Sequence, residues 1–84
     1  MAEFNGFRSW NAWNVSLWIN NTERLYMAAR DIYQEKARKY GNTDRARRAA
    51  ATAILAMIGE NEQTPDGARY NYRCVYDAIE GMID

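Results

Sequence analysis

"SWNAWNVSLWINN", residues 9–21, holds Trp10, Trp13 and Trp18, the three tryptophans of an 84-residue chain. Two periods compete in it. Val15, Leu17 and Ile19 alternate with Asn14, Ser16 and Trp18 as the faces of a strand do. Trp10, Trp13 and Leu17 instead group within about 60° on a helical wheel of roughly 100° per residue. A strand needs a partner, and the rest of the chain offers none. The helical reading therefore decides the fold: Ser9 caps a first helix that runs to about Asn20, and the chain becomes a small all-α bundle of three to four helices over 1–84.

Outward from this stretch, the lead before it carries Phe4 and Phe7. After it, "INNTERL" breaks the helix, because paired asparagines favour turns and caps. A second helix starts near Thr22, with Leu25, Ala29, Ile32 and Lys36 along one stripe and Tyr26, Tyr33 and Tyr40 beside it, and Gly41 and Asn42 end it. Thr43 or Asp44 caps a third, whose Ala46, Ala49, Ala50, Ala53, Ile54, Met57 and Ile58 keep helical spacing until Gly59. Its alanines permit close approach, which places this helix at the centre of the packing. "ENEQTPDGARY" reads as the one clear loop, with turn chemistry at Thr64–Gly67. Thr64 followed by Pro65 also suits a helix start, so the last helix has two candidate beginnings. Tyr72, Val75, Tyr76, Ile79, Met82 and Ile83 give it an apolar stripe.

On the first helix, Trp10, Trp13 and Leu17 read as the buried stripe. Val15, Trp18 and Ile19 fall on the far side. Either the helix is surrounded or one tryptophan faces out. Trp18 is then the candidate binding anchor, since tryptophan, tyrosine and arginine dominate interface hot spots. Asn14, if buried, must be hydrogen-bonded, and the backbone near Thr64–Gly67 is the nearest expectation.

Composition narrows the functional classes. Apolar residues make up 48% and charged residues 26% of the chain, as in ordinary globular domains. With 11 basic and 11 acidic residues the formal charge is +0, so no global field attracts or imitates nucleic acid. One cysteine, Cys74, and no histidine leave no internal disulfide and no ordinary zinc set. This matches a cytoplasmic protein, with no signal segment and no stretch of roughly 18 apolar residues to span a membrane. Phosphate-binding glycine loops, nucleophile elbows, metal triads and cofactor motifs are likewise absent from the sequence, which argues against an enzyme.

The strongest charge feature is the second-to-third helix junction: Lys36, Arg38, Lys39, Arg45, Arg47 and Arg48 against Asp44. Arg45, Arg47 and Arg48 occupy the first turns of a helix, where the macrodipole disfavours cations. A solvated face explains them, as does pairing with the acidic far end, where Glu60, Glu62, Asp66, Asp77, Glu80 and Asp84 outnumber Arg69 and Arg73. Phosphate binding, alone or as a homodimer, is the sharper alternative, and an acidic protein surface is another. The tyrosines suit a half-buried rim or base stacking. Cys74, without a histidine partner, reads as a small buried residue.

The run Trp10, Trp13, Asn14, Val15, Leu17, Trp18, Ile19 and Asn21, with "TERLY" after it and "TPDG" later, resembles a group of small proteins encoded by bacteriophages and other mobile elements. The likeness is close over the first third of the chain, although "TERLY" departs from the acidic, glycine-containing cap of that group. It carries no catalytic residues across. That group has no settled function. What the likeness implies is a mobile-element origin, where small single-domain proteins often block host defences, and the expectation built on it is a non-enzymatic inhibitor that occludes a host protein complex, such as a CRISPR–Cas effector. Trp18, Lys39, Arg45, Arg47 and Arg48 are then the candidate partner-binding residues. The alternative is a small nucleic-acid-binding or regulatory protein that uses the basic junction.

Overall fold

The computed structural model describes residues 6–82 and contains four helices: α1 (Trp10–Asn21), α2 (Glu23–Tyr40), α3 (Asp44–Ile58) and α4 (Tyr72–Met82). Phe4, Ile83 and Asp84 lie outside the described residues. The fold is a small all-α bundle, and no helix among the described residues is long and apolar enough to cross a membrane.

Local chemistry sets the boundaries. The Ser9 hydroxyl accepts the Ala12 N–H at 3.1 Å and opens α1. Thr22 alone separates α1 from α2 in an extended conformation. Gly41, at φ 78°, turns the chain after α2, and the Thr43 hydroxyl accepts the Ala46 N–H to start α3. Between α3 and α4 the backbone doubles back as a short hairpin. Thr64 and Ala68 bond across it at 2.8 Å, Tyr70 and Glu62 at 2.8 Å, and Gln63 and Arg69 form an isolated antiparallel bridge. Thr64–Pro65 therefore makes the hairpin turn, closed by Gly67 at φ 95°, and opens no helix. The Asn71 side chain caps α4 instead, accepting the Cys74 N–H at 2.9 Å.

Neighbouring helices pack around a ring, α1 on α2, α2 on α3, α3 on α4 and α4 on α1, with α1 against α4 the most extensive pair. Across the diagonals α2 approaches α4, whereas α1 and α3 do not meet, so α3 is a side of the bundle and not its centre. Its alanines serve two neighbours only.

The core is built from small side chains. Ala12, Val15 and Ile19 of α1, Ala50, Ala51 and Ile54 of α3, and Val75, Ala78 and Ile79 of α4 are buried, as are Ala29, Tyr33 and Tyr70. On α1 the buried stripe is thus Ala12, Val15, Ser16 and Ile19, and the expected stripe of Trp10, Trp13 and Leu17 is displaced from it. Trp10 is 43% exposed, and Trp13 and Leu17 are half-buried. The reason is steric. Ala12 and Ser16 are small and buried on the helix that packs most extensively against α4, and indoles in their place would hold the helices apart. On α3 and α4, Met57 (46% exposed) and Tyr72 (37%) also leave the core expected for them.

Candidate functional site

Three α1 side chains at helical spacing hold the hairpin. The Asn11 amide bonds both backbone groups of Arg69, donating to the carbonyl and accepting from the N–H, each at 2.9 Å. It also lies 3.2 Å from the buried Cys74 Sγ. One turn on, buried Asn14 accepts the Thr64 hydroxyl at 2.6 Å and donates to Asp66 Oδ2 at 2.9 Å. One further turn on, the Trp18 indole N–H donates to the same oxygen at 2.8 Å. The hairpin expected to receive Asn14 does so through the Thr64 and Asp66 side chains, and the backbone bonds come from Asn11. The Asn14 and Trp18 bonds stabilise the ionised carboxylate and hold Asp66 below its ordinary value of 3.8. Trp18 is half-buried, with its polar edge committed inside the molecule.

The opposite side of the bundle carries a groove between α3 and α4, which run antiparallel. Asp44, Arg48, Tyr72, Arg73, Tyr76 and Glu80 line a shallow cavity of about 350 Å³ at the start of α3. Thr52, Leu55, Ala56, Glu60 and Tyr72 line a second of about 260 Å³ at its end. Tyr72 is the wall common to both. On α3 the lining residues Asp44, Arg48, Thr52 and the Leu55–Ala56 pair recur every three to four positions and form one helix face, and Glu60 lies just past the helix end. The Tyr76 hydroxyl donates to Asp44, whose other oxygen pairs with Arg48 at 3.0 Å. That bond to Asp44, then burial, then the Asp44 and Glu80 charges push the Tyr76 phenol up and keep it a hydrogen-bond donor.

The basic junction divides. Arg48 and Arg73 enter the groove. Exposed Arg45 stacks over the Tyr40 ring at 4.6 Å, with Lys39 at 5.4 Å from the same ring. Arg47 is half-buried near Tyr76, and Lys36 pairs at 3.9 Å with its neighbour Glu35. Asp77, only 11% exposed, is held by Arg8 at 3.0 Å and Arg73 at 3.6 Å. Of the acidic residues proposed as counter-charges, Asp77 pairs with Arg8 and Arg73 and not with the junction, Glu80 lines the groove without an ion pair among the described residues, Glu60 lines its far end, and Asp66 serves the hairpin, while the junction's Arg48 pairs with Asp44 of its own helix. Among the described residues no three metal-ligating side chains converge.

Sequence reasoning missed Asn11 and the apolar half of the groove. Asn11 had a usable signal in the spacing of Asn11, Asn14 and Trp18, one hydrogen-bonding group per turn on one face. The groove had none within any single helix.

The fold and site define a small four-helix bundle with a latched hairpin on one side and a mixed cationic–apolar groove on the other. Along residues 1–84 the chain belongs to a family of unknown function, DUF7249. No curated protein and no solved structure matches it.

Proposed function

We propose that the chain is a non-enzymatic protein-binding domain that acts by occluding its partner. One observation carries this reading: the α3–α4 face presents exposed Tyr72, Arg48 and Arg73 beside Leu55 and Ala56, with Arg45 over Tyr40 at the adjoining α2–α3 junction. Tyrosine and arginine around a small apolar patch are the composition of interface hot spots. The Asn11–Asn14–Trp18 latch fastens the hairpin that positions Tyr72, which lowers the ordering cost of binding. The likeness of residues 10–21 to small phage and mobile-element proteins supports a bacterial host protein complex as the partner. A defence machine such as a CRISPR–Cas effector, met in the host cytoplasm, is the specific form of this reading.

Capture by the tagged full chain from nuclease-treated lysates of CRISPR-bearing bacteria, read by mass spectrometry, tests it. A defence-complex subunit at stoichiometric yield, lost with the Arg45→Glu/Arg48→Glu double variant, is the expected result. Lysates that yield nothing above the tag alone overturn it.

A second reading rests on Lys39 and Arg45 flanking Tyr40 at the α2–α3 junction, a cationic and aromatic edge suited to nucleic acid. It requires RNA or DNA retention that falls steeply with salt.

A further inference from the structure

Resting on the protein-binding reading, we infer that the α3–α4 groove takes an amphipathic helix of the partner, apolar at one end and acidic at the other. Length is the first argument. The groove follows the whole of α3, 15 residues, or about 22 Å at 1.5 Å per residue, which is four turns of an occupant helix. An extended strand would need a sheet edge, and the only ladder among the described residues is one isolated bridge in the hairpin.

Chemistry sorted along the groove is the second argument. At the Glu60 end, Leu55, Ala56 and Tyr72 form an apolar seat. Ala56 and Thr52 keep that floor low, so side chains on successive turns of an occupant can reach it. At the Asp44 end, Arg48 and Arg73 remain 62% and 59% exposed even while each holds one carboxylate. A guanidinium has five N–H donors, so each keeps free donors toward the groove. Arg45 has no acidic partner among the described residues and stands at the same end.

Charge complementarity is the third. Asp44 is occupied by Arg48 and the Tyr76 hydroxyl, and Asp77 by Arg8 and Arg73. Glu80 alone among the carboxylates there faces the groove unpaired. Arg48 and Arg73 line this end, Arg47 lies near Tyr76, and Arg45 and Lys39 sit over Tyr40 at the adjoining α2–α3 junction, five cations against Asp44, Asp77 and Glu80, so this end is net positive and favours carboxylates two turns beyond the occupant's apolar residues. Glu60 at the opposite end favours a lysine or arginine there and fixes which way round the helix lies.

The experiment is a display selection on the folded full-length chain, using a library of 18-residue helical peptides randomised on one face. The groove predicts enriched peptides with apolar residues at one end and aspartate or glutamate two turns away. Their affinity should drop at least tenfold with Ala56→Arg and with Arg48→Glu, both at exposed positions. Peptides carrying lysine in place of the acidic residues should regain it on Arg48→Glu. Circular dichroism of each variant separates lost binding from lost fold, and Thr52→Arg serves as the second apolar-end variant if Ala56→Arg unfolds. Enriched peptides that are basic, unpatterned or insensitive to both changes overturn the inference. So does preferential occupation of the groove by single-stranded nucleic acid. A partner captured from lysate whose binding ignores Ala56→Arg and Arg48→Glu leaves the protein-binding reading standing and removes only the groove's occupant.

Discussion

Asn14 uses both ends of its amide inside the protein, accepting from Thr64 and donating to Asp66. Asn14→Leu keeps a similar volume but leaves the buried Thr64 O–H without its acceptor, although that oxygen still accepts the Ala68 N–H, and removes the first bond to Asp66. The cost should be about 1–3 kcal/mol. Each kcal/mol lowers the melting temperature of a domain this size by about 4–8 °C. A thermal melt followed by circular dichroism reads it, and an unchanged midpoint would show that the network contributes no stability. Asp66 adds a pH dependence of definite sign. Its folded value lies below 3.8 because Asn14 and Trp18 bond the ionised form. Its stabilisation is therefore complete above the ordinary carboxylate value and is lost as pH falls through the lowered one. Asp66→Asn cannot titrate, so its urea midpoint should decline less than the parent's between pH ~5 and ~2, whatever its stability at neutral pH. Parallel declines would place the acid sensitivity elsewhere.

At the scale of elements, α1 shows how a helix can be placed correctly and rotated wrongly. Its limits were legible because Ser9 and the Asn20–Thr22 break are local signals, and the same holds for Gly41, Thr43 and Gly59 around α3. Its buried face was not. A hydrophobic wheel weights the tryptophans, while packing in this bundle rewards small residues on the buried face, Ala12 and Ser16 among them. Ala12→Leu should consequently cost about 1–3 kcal/mol by overpacking. Trp10→Ala, at a position 43% exposed, should cost less than about 1 kcal/mol. Urea denaturation of the two variants checks the order, and the reverse order would return Trp10 to the core. The groove was half legible for a related reason. Arg45, Arg47 and Arg48 stand out locally as cations in the first turns of a helix. Leu55, Ala56 and Tyr72 become a seat only when α4 folds back along α3, a juxtaposition that no period within one helix encodes. The start of α4 had two local candidates, and tertiary bonds chose between them: Asn14 and Asn11 hold Thr64 and Arg69 in the hairpin, leaving Asn71 as the cap.

For the molecule as a whole, α4 is the stronger connection, because α1 and α3 meet only through α2 and α4, and α4 makes the most extensive contact with α1. The latch side and the groove side are thus two faces of one helix, with Cys74 near Asn11 and Tyr76 bonded to Asp44. At about 0.05–0.15 kcal/mol per residue, a chain of this length has roughly 4–13 kcal/mol in total. Ile79, 1% exposed, is one of the largest fully buried side chains in a core where alanine is the commonest residue. Ile79→Ala should cost about 2–5 kcal/mol, a large share of that total. The loss should be global, since weakening α4 loosens α1 and α3 together. Amide hydrogen exchange tests the point: protection should fall by similar factors in the α1, α3 and α4 cores. Met57→Ala, at an exposed position, should leave all three within about 1 kcal/mol. Selective loss in α1 would mean that α2 and α3 form an independent unit. The groove would then be fastened from one side only, and the rigidity invoked for partner binding would have to come from the partner.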